Sequence, residues 1–353
     1  MILNGKELRV PIIQGGMGVG VSLSNLAGHV ARCGGMGVIS SVNAGYREHD
    51  FATNPWEANL RALKEHIKKA KEIAGGCGMV AVNIMTAVSN YAKTCKCAIE
   101  AGADAIISGA GLPVKLPEFT KGTGCMAAPI VSSGKAAALL CKSYLKKYNV
   151  LPDFFVIEGN KAGGHLGFSA EALLNQTAKS NEDILKEVLQ EIKPFEEEQK
   201  KKIPVFMAGG VFDGKDMAHF MELGASGIQV GTRFIATKEC DAHENFKKVI
   251  IEAKKEDIAI IQSPVGMPAR AVMTPLLQRL KKGEKFPPIQ CNGCLTACKK
   301  GDKTPYCISR ALTEAVEGNV EDGLFFCGEN TWRIEKETTV EELMKEITEE
   351  AGL

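Results

Sequence analysis

Residues 203 to 234 read IPVFMAGGVFDGKDMAHFMELGASGIQVGTRF. Two short apolar runs, IPVFMAGG (203 to 210) and GIQVGT (227 to 232), flank the helical pattern GKDMAHFMELGA. Neither run alternates polar with apolar residues. That is the pattern of strands covered on both faces, as in a parallel sheet. Six more such runs precede them: RVPIIQGG (9 to 16), MGVISS (36 to 41), MVAVNIM (79 to 85), DAIISGAG (104 to 111), AAPIVSS (127 to 133) and FFVIEG (154 to 159). Helical patterns stand between them, among them SLSNLAGHVARCG, NPWEANLRALKEHIKKAKEIAG, NYAKTCKCAIEAG and SGKAAALLCKSYLKKYN, and several end in glycine, a common helix stop. Strand and helix alternating eight times predict an α/β fold, a (β/α)8 TIM barrel. A doubly wound open sheet is the alternative. The count of eight and the lack of an early GxGxxG favour the barrel.

The repeat is interrupted from about 169 to 202, which reads as one or two helices ending in EEEQKKK, a solvated face. It stops after residue 235. A helical stretch near 243 to 256, the segment SPVGMPARAVMTPLLQRL and a final helix near 339 to 350 follow. Thr338 and Thr339, with Glu341 and Glu342, offer capping boxes for that last helix. The expected division is a barrel over 1–275 and a helical, cysteine-rich C-terminal appendage over 276–353, packed on the barrel.

The chain has 353 residues, 45% hydrophobic and 24% charged, with 43 basic and 42 acidic side chains for a net charge of +1. This near balance points to no nucleic-acid or acidic-membrane partner. No apolar run reaches the roughly 18 residues of a membrane span, and MILNGKELRVPII lacks the pattern of a secretion signal. The expectation is a cytoplasmic protein whose twelve cysteines are reduced. A homodimer is the expected assembly.

In barrels of this class the active site lies at the C-terminal ends of the strands. That rim collects Gln14 to Met17, Asn83, the run SGAG, Glu158, the pair Gly209 and Gly210, and Gly231 with Thr232. It is rich in glycine and poor in charge, so backbone N–H groups can approach a ligand. The loops after strands seven and eight, MAGGV (207 to 211) and QVGTRF (229 to 234), form the usual phosphate site of the fold. Both lead into helices whose N-termini would favour an anion. His165, set among glycines in IEGNKAGGHLGF (157 to 168), follows strand six and is expected to face the same mouth. His29, His66 and His219 lie in helical patterns and His49 and His243 in polar connections, with no HxxxH or HExxH spacing for zinc.

The ordered set PIIQGGMG, VNIM, SGAG, EGNKAGGHLG, FMAGGV and QVGTRF resembles the nitronate monooxygenase family, related to the FMN-type enoyl-ACP reductases. The likeness covers about residues 8 to 245 and, through SPVGMPAR, extends to 275. It implies an FMN-dependent oxidoreductase acting on a small molecule. It implies that Asn83, Glu158, Gly163, Gly209, Gly210, Gln229, Val230, Gly231 and Thr232 line FMN, with Gly15, Gly16 and Met17 against the flavin. It also implies that His165 is the active-site histidine, serving nitronate oxidation. In the alternative, reduction of an enoyl thioester with NAD(P)H or an iron–sulfur donor, it would polarise the thioester carbonyl. Glu158 departs from the glutamine common in nitronate monooxygenases and leans toward the reductases. Readings from other classes are a phosphosugar or nucleotide barrel without flavin, and a non-catalytic flavin or iron–sulfur sensor.

The segment CNGCLTACKKGDKTPYC (291 to 307) sets Cys291, Cys294, Cys298 and Cys307 in a C-x2-C-x3-C-x8-C pattern. Four thiolates suit a [4Fe–4S] cluster or a structural zinc ion. A single CxxC knuckle with a close third cysteine leans toward the cluster, which would open a path to a redox donor protein.

Overall fold

The computed structural model describes residues 1–287, 291–296, 298 and 304–353. Eight parallel strands close into a barrel: β1 (Ile12–Gln14), β2 (Met36–Ser40), β3 (Met79–Met85), β4 (Ala105–Gly109), β5 (Met126–Val131), β6 (Phe155–Glu158), β7 (Val205–Ala208) and β8 (Gly227–Val230). Seven lie within their apolar runs, and β5 starts one residue before its own. The barrel closes where β8 pairs with β1, Gln229 opposite Ile13. The outer layer includes α1 (Ser24–Arg32), α2 (Pro55–Ala74), α3 (Tyr91–Glu100), α4 (Leu116–Thr120), α5 (Gly134–Tyr148), α6 (Asn181–Gln199), α7 (Gly214–Glu222) and α8 (Glu244–Glu252). The long 169 to 202 interval resolves into a short turn, Ala170–Leu174, and then α6. No helix among the described residues is long and apolar enough to cross a membrane.

Side chains alternate along each strand, so inward and outward residues form two separate cores. Ile13, Val38, Ala81, Ile107, Ala128, Val156 and Phe206 belong to the cluster inside the barrel. Ile12, Ile39, Val80, Ile106 and Ile157 belong to the larger one under the helices. The N-terminus closes the bottom. Ile2–Leu3 and Lys6–Glu7 form an antiparallel hairpin, with Asn4 at φ 47° and Gly5 at φ 78° in its turn, and Leu3 and Leu8 plug the interior cluster.

Above the last interior layer the same alternation builds a floor. An inward residue at or just past the end of each strand lines a cavity at the mouth: Gly15, Ser40, Asn83, Gly109, Ile130, Glu158, Ala208 and Gln229.

The chain beyond the barrel does more than rest on it. Strands β9 (Ile258–Gln262) and β10 (Pro268–Val272) form an antiparallel hairpin with no counterpart in the sequence reading. Then come α9 (Pro275–Lys281), α10 (Ile308–Val316) and α11 (Val340–Glu350). Thr339 and Glu342 make the capping box of α11, whereas the Thr338 hydroxyl instead donates to Glu342. Asp241 reaches back more than two hundred residues to accept the Leu23, Asn25 and Leu26 N–H groups at the start of α1.

The tightest backbone contact in the shell is at Gly37 in β2. A Cβ there would lie 1.8 Å from the Ala27 carbonyl oxygen of α1. Gly37→Ala is therefore expected to destabilise by on the order of 3 kcal/mol. A thermal melt should show a loss of several degrees or insoluble expression, and an unchanged Tm would mean that α1 shifts at no cost.

Candidate active site

The mouth holds a cavity of about 500 Å³. All the residues the sequence marked for cofactor or catalysis line it: Gly15, Gly16, Met17, Asn83, Glu158, Gly163, His165, Gly209, Gly210, Gln229, Val230, Gly231 and Thr232. Cys294 lines it as well.

Glycine opens this space. A Cβ on Gly16 would lie 2.3 Å from Cβ of Asn83. Gly209 and Gly210 take φ values of 87° and 92°, a region that favours glycine. Their carbonyls are held from outside by side-chain amides, Gly209 by Asn181 at 2.5 Å and Gly210 by Asn330 at 2.7 Å. The N–H groups of Gly210 and Gly231 meet no acceptor among the described residues, and Lys161 lies against Gly210.

The helices behind these loops do not play the part expected of them. The start of α7 is already met by carboxylates: Glu350 accepts from Gly214 N–H at 2.9 Å and Asp213 from Asp216 N–H at 3.1 Å. The chain after β8 makes only the four-residue turn Thr232–Ile235. An anion at this end would rest on loop N–H groups and not on helix dipoles.

His165 sits in the two-residue strand Gly164–His165, paired antiparallel with β10 through Ala269. Its ring packs edge-on against Phe326 at 5.2 Å between centroids. Nε2 lies 2.8 Å from Oγ of the buried Ser263. The same oxygen accepts from the Val265 N–H at 3.5 Å, so Ser263 ties the imidazole to the turn before β10. Burial pushes the imidazole down to about 4, so the ring is neutral at pH 7. Beneath the mouth, burial pushes the Glu158 carboxyl up to about 7, against one opposing hydrogen bond from Gly167 N–H at 3.2 Å.

Several site residues had no role assigned to them from the sequence. Ser263 and Arg270 are the first and last residues of SPVGMPAR. Arg270, 5% exposed, donates to the carbonyls of Asn160 and Ala162 and to Glu329, which holds the loop leading to His165. Phe326 to Thr331, from the appendage, line the cavity beside it. A polar loop read alone carries no sign that it will fold over a rim built two hundred residues earlier.

A (β/α)8 barrel with a half-buried histidine, a carboxyl held near neutrality and glycine loops at one mouth has the layout of an enzyme of the barrel class. More particularly, the chain belongs to the nitronate monooxygenase family, whose model matches residues 3–350. It is 24% identical over 299 residues to a probable nitronate monooxygenase of Staphylococcus saprophyticus, covering 78% of this chain and 79% of that protein. It is 25% identical over 275 residues to a (3aS,4S,5R,7aS)-5-hydroxy-7a-methyl-1-oxo-octahydro-1H-indene-4-carboxyl-CoA dehydrogenase of Mycobacterium tuberculosis, covering 78% of this chain and 66% of that one. The structure of FabK from Thermotoga maritima superposes with a TM-score of 0.73 at 25% identity, over 98% of this chain and 94% of that one. The protein is an oxidoreductase.

Two measurements check the electrostatics. A carboxyl raised by burial stabilises the fold below its unfolded value near 4.5, and that contribution is lost as pH rises through about 7. Glu158→Gln should therefore gain Tm over the parent, in cofactor-free protein, as pH goes from 5 to 8. A difference that does not change with pH would mean Glu158 is solvated. Ser263→Ala removes the bond that orients His165 and should lower kcat about tenfold, from roughly 1.5 kcal/mol for one hydrogen bond, with the fold intact by circular dichroism.

Proposed function

We propose that the chain binds FMN in this mouth and oxidises alkyl nitronates there, with His165 beside the substrate. The observation that carries the proposal is the unmet polarity of the floor and loops. Among the described residues, Oε1 of Gln229 is buried without a partner and the N–H groups of Gly210 and Gly231 meet no acceptor. Such groups ask for a ligand with both ring donors and a phosphate. FMN has both, and the glycine cradle leaves room for it. Gly209, Gly210, Gly231 and Thr232, with Lys161 nearby, would hold the phosphate. Gly15, Gly16, Met17, Asn83, Glu158, Gly163, Gln229 and Val230 would border the rest of the cofactor.

When bound, FMN supplies an acceptor for two electrons. The chain supplies the rest. Neutral His165, its Nε2 engaged by Ser263, donates a hydrogen bond to a nitronate oxygen and orients the carbon. Trp56, Leu60 and Met85 receive the alkyl group, and Phe326 and Met267 limit water. Glu158, poised near neutrality, can hold or release a proton at the floor.

The same geometry admits a second reading, reduction of an enoyl thioester with electrons from NAD(P)H or another donor. The apolar arm favours it. Trp56, Leu60, Met85, Leu112 and Leu312 all line the cavity, an apolar surface larger than a short nitroalkane covers. One relative is also named for a carboxyl-CoA substrate.

Anaerobic mixing with ethyl nitronate is the test. Bleaching of the bound flavin's visible band is expected, and His165→Ala should slow it about 100-fold with flavin content unchanged. A flavin that ignores nitronates while the protein saturates crotonyl thioesters would replace the first reading with the second.

A further inference from the structure

We propose that Cys291, Cys294, Cys298 and Cys307 hold a [4Fe–4S] cluster on the wall of the catalytic cavity, and that the cluster passes single electrons between that cavity and a one-electron carrier protein.

The four cysteines are brought together by folding as well as by sequence. The other three stand close enough to Cys294 to act on it electrostatically, and none of the four is in a disulfide. Residues 297 and 299–303 of the intervening segment lie outside the described residues. Cys291, Cys294 and Cys298 fall within eight residues with Cys307 nine further on, which is nearer a cluster's set of three close thiolates plus one, each on its own iron, than the paired CxxC knuckles of structural zinc.

The position of the site is what gives it a role. Cys294 and Leu295 line the cavity themselves. Their segment is strapped to the loop after β3. Ser89 N–H donates to the Cys294 carbonyl at 3.3 Å, the Ser89 hydroxyl to the Gly293 carbonyl at 2.6 Å, and Thr296 N–H to the Ala87 carbonyl at 3.1 Å. Cys307 caps α10, whose Ile308, Ser309 and Leu312 form the adjoining wall. A metal centre here is therefore part of the cavity wall and not a staple on a remote tail.

The cluster site stands on these residues alone, whereas its electron-passing role rests on the flavin reading and on reductive chemistry. The balance is simple. Two reduced carriers each lose one electron, the cluster passes them in turn, two protons come from solvent, and one C=C becomes CH–CH.

The experiment uses the full chain purified without air. Iron, acid-labile sulfide and zinc are measured per chain, and flavin is measured separately after acid release, so a missing flavin and a missing cluster are told apart. About four iron and four sulfide per chain are expected, with a paramagnetic signal after dithionite reduction. Cys298→Ala and Cys291→Ser should each lose most of the iron. One zinc per chain, or no metal in the unmodified protein, overturns the cluster whatever the variants do. For the electron role, reduced and desalted protein is mixed with crotonyl thioester. Loss of the paramagnetic signal supports it, and a signal that persists in flavin-replete protein overturns it.

Discussion

Eight parallel strands closed into a ring must all end on the same rim, and that constraint organises everything else in this protein. Closure fixes which residue of each strand points inward, and the period of two then sets every layer above it. Ile13, Val38, Ala81 and Phe206 fill the lower interior. Two residues further along each strand, the same phase delivers Gly15, Ser40, Asn83 and Ala208 to the cavity floor. Glu158 and Gln229 arrive in the same way. Moving β2, β3 or β6 up by a single residue would turn its floor residue into the helix layer and put Ile39, Val82 or Ile157 in the mouth.

The second level of construction comes from late in the chain. β10 adds an edge on which Gly164 and His165 form a short antiparallel pairing, and Ser263 at the turn before it holds the imidazole. Arg270 faces the other way and ties down residues 160 and 162. One hairpin thus fixes both the orientation of the imidazole and the path of its loop. Burial under this cover moves His165 down and Glu158 up, so a neutral base and a protonatable acid share the mouth at pH 7.

The sequence made the barrel legible because its strands are apolar on both faces and its crossovers have helical period. The glycine pairs at 15–16 and 209–210 were legible too, since glycine at a strand end has few other uses. What escaped the sequence reading depends on contacts distant along the chain. IAIIQ at 258–262 has no alternation or turn signal strong enough to mark a strand, and it becomes one by pairing with β10. The capture of the α7 N-terminus by Glu350 joins residues 136 positions apart. Phe326 sits in a segment, FFCGEN, that looks like any other loop and only meets His165 because β10 bridges to it through Ala271.

The central claim is that the two glycine loops hold a phosphate and the floor holds a flavin ring. It is tested most directly by titrating cofactor-free protein with FMN and with riboflavin, which share the ring and differ in the phosphate. Loops whose N–H groups await an anion should bind FMN at least a hundredfold more tightly, about 2.7 kcal/mol, with the gap narrowing in Gly210→Glu. Equal affinity for the two would contradict the assignment of the loops, and no binding of either would contradict the site.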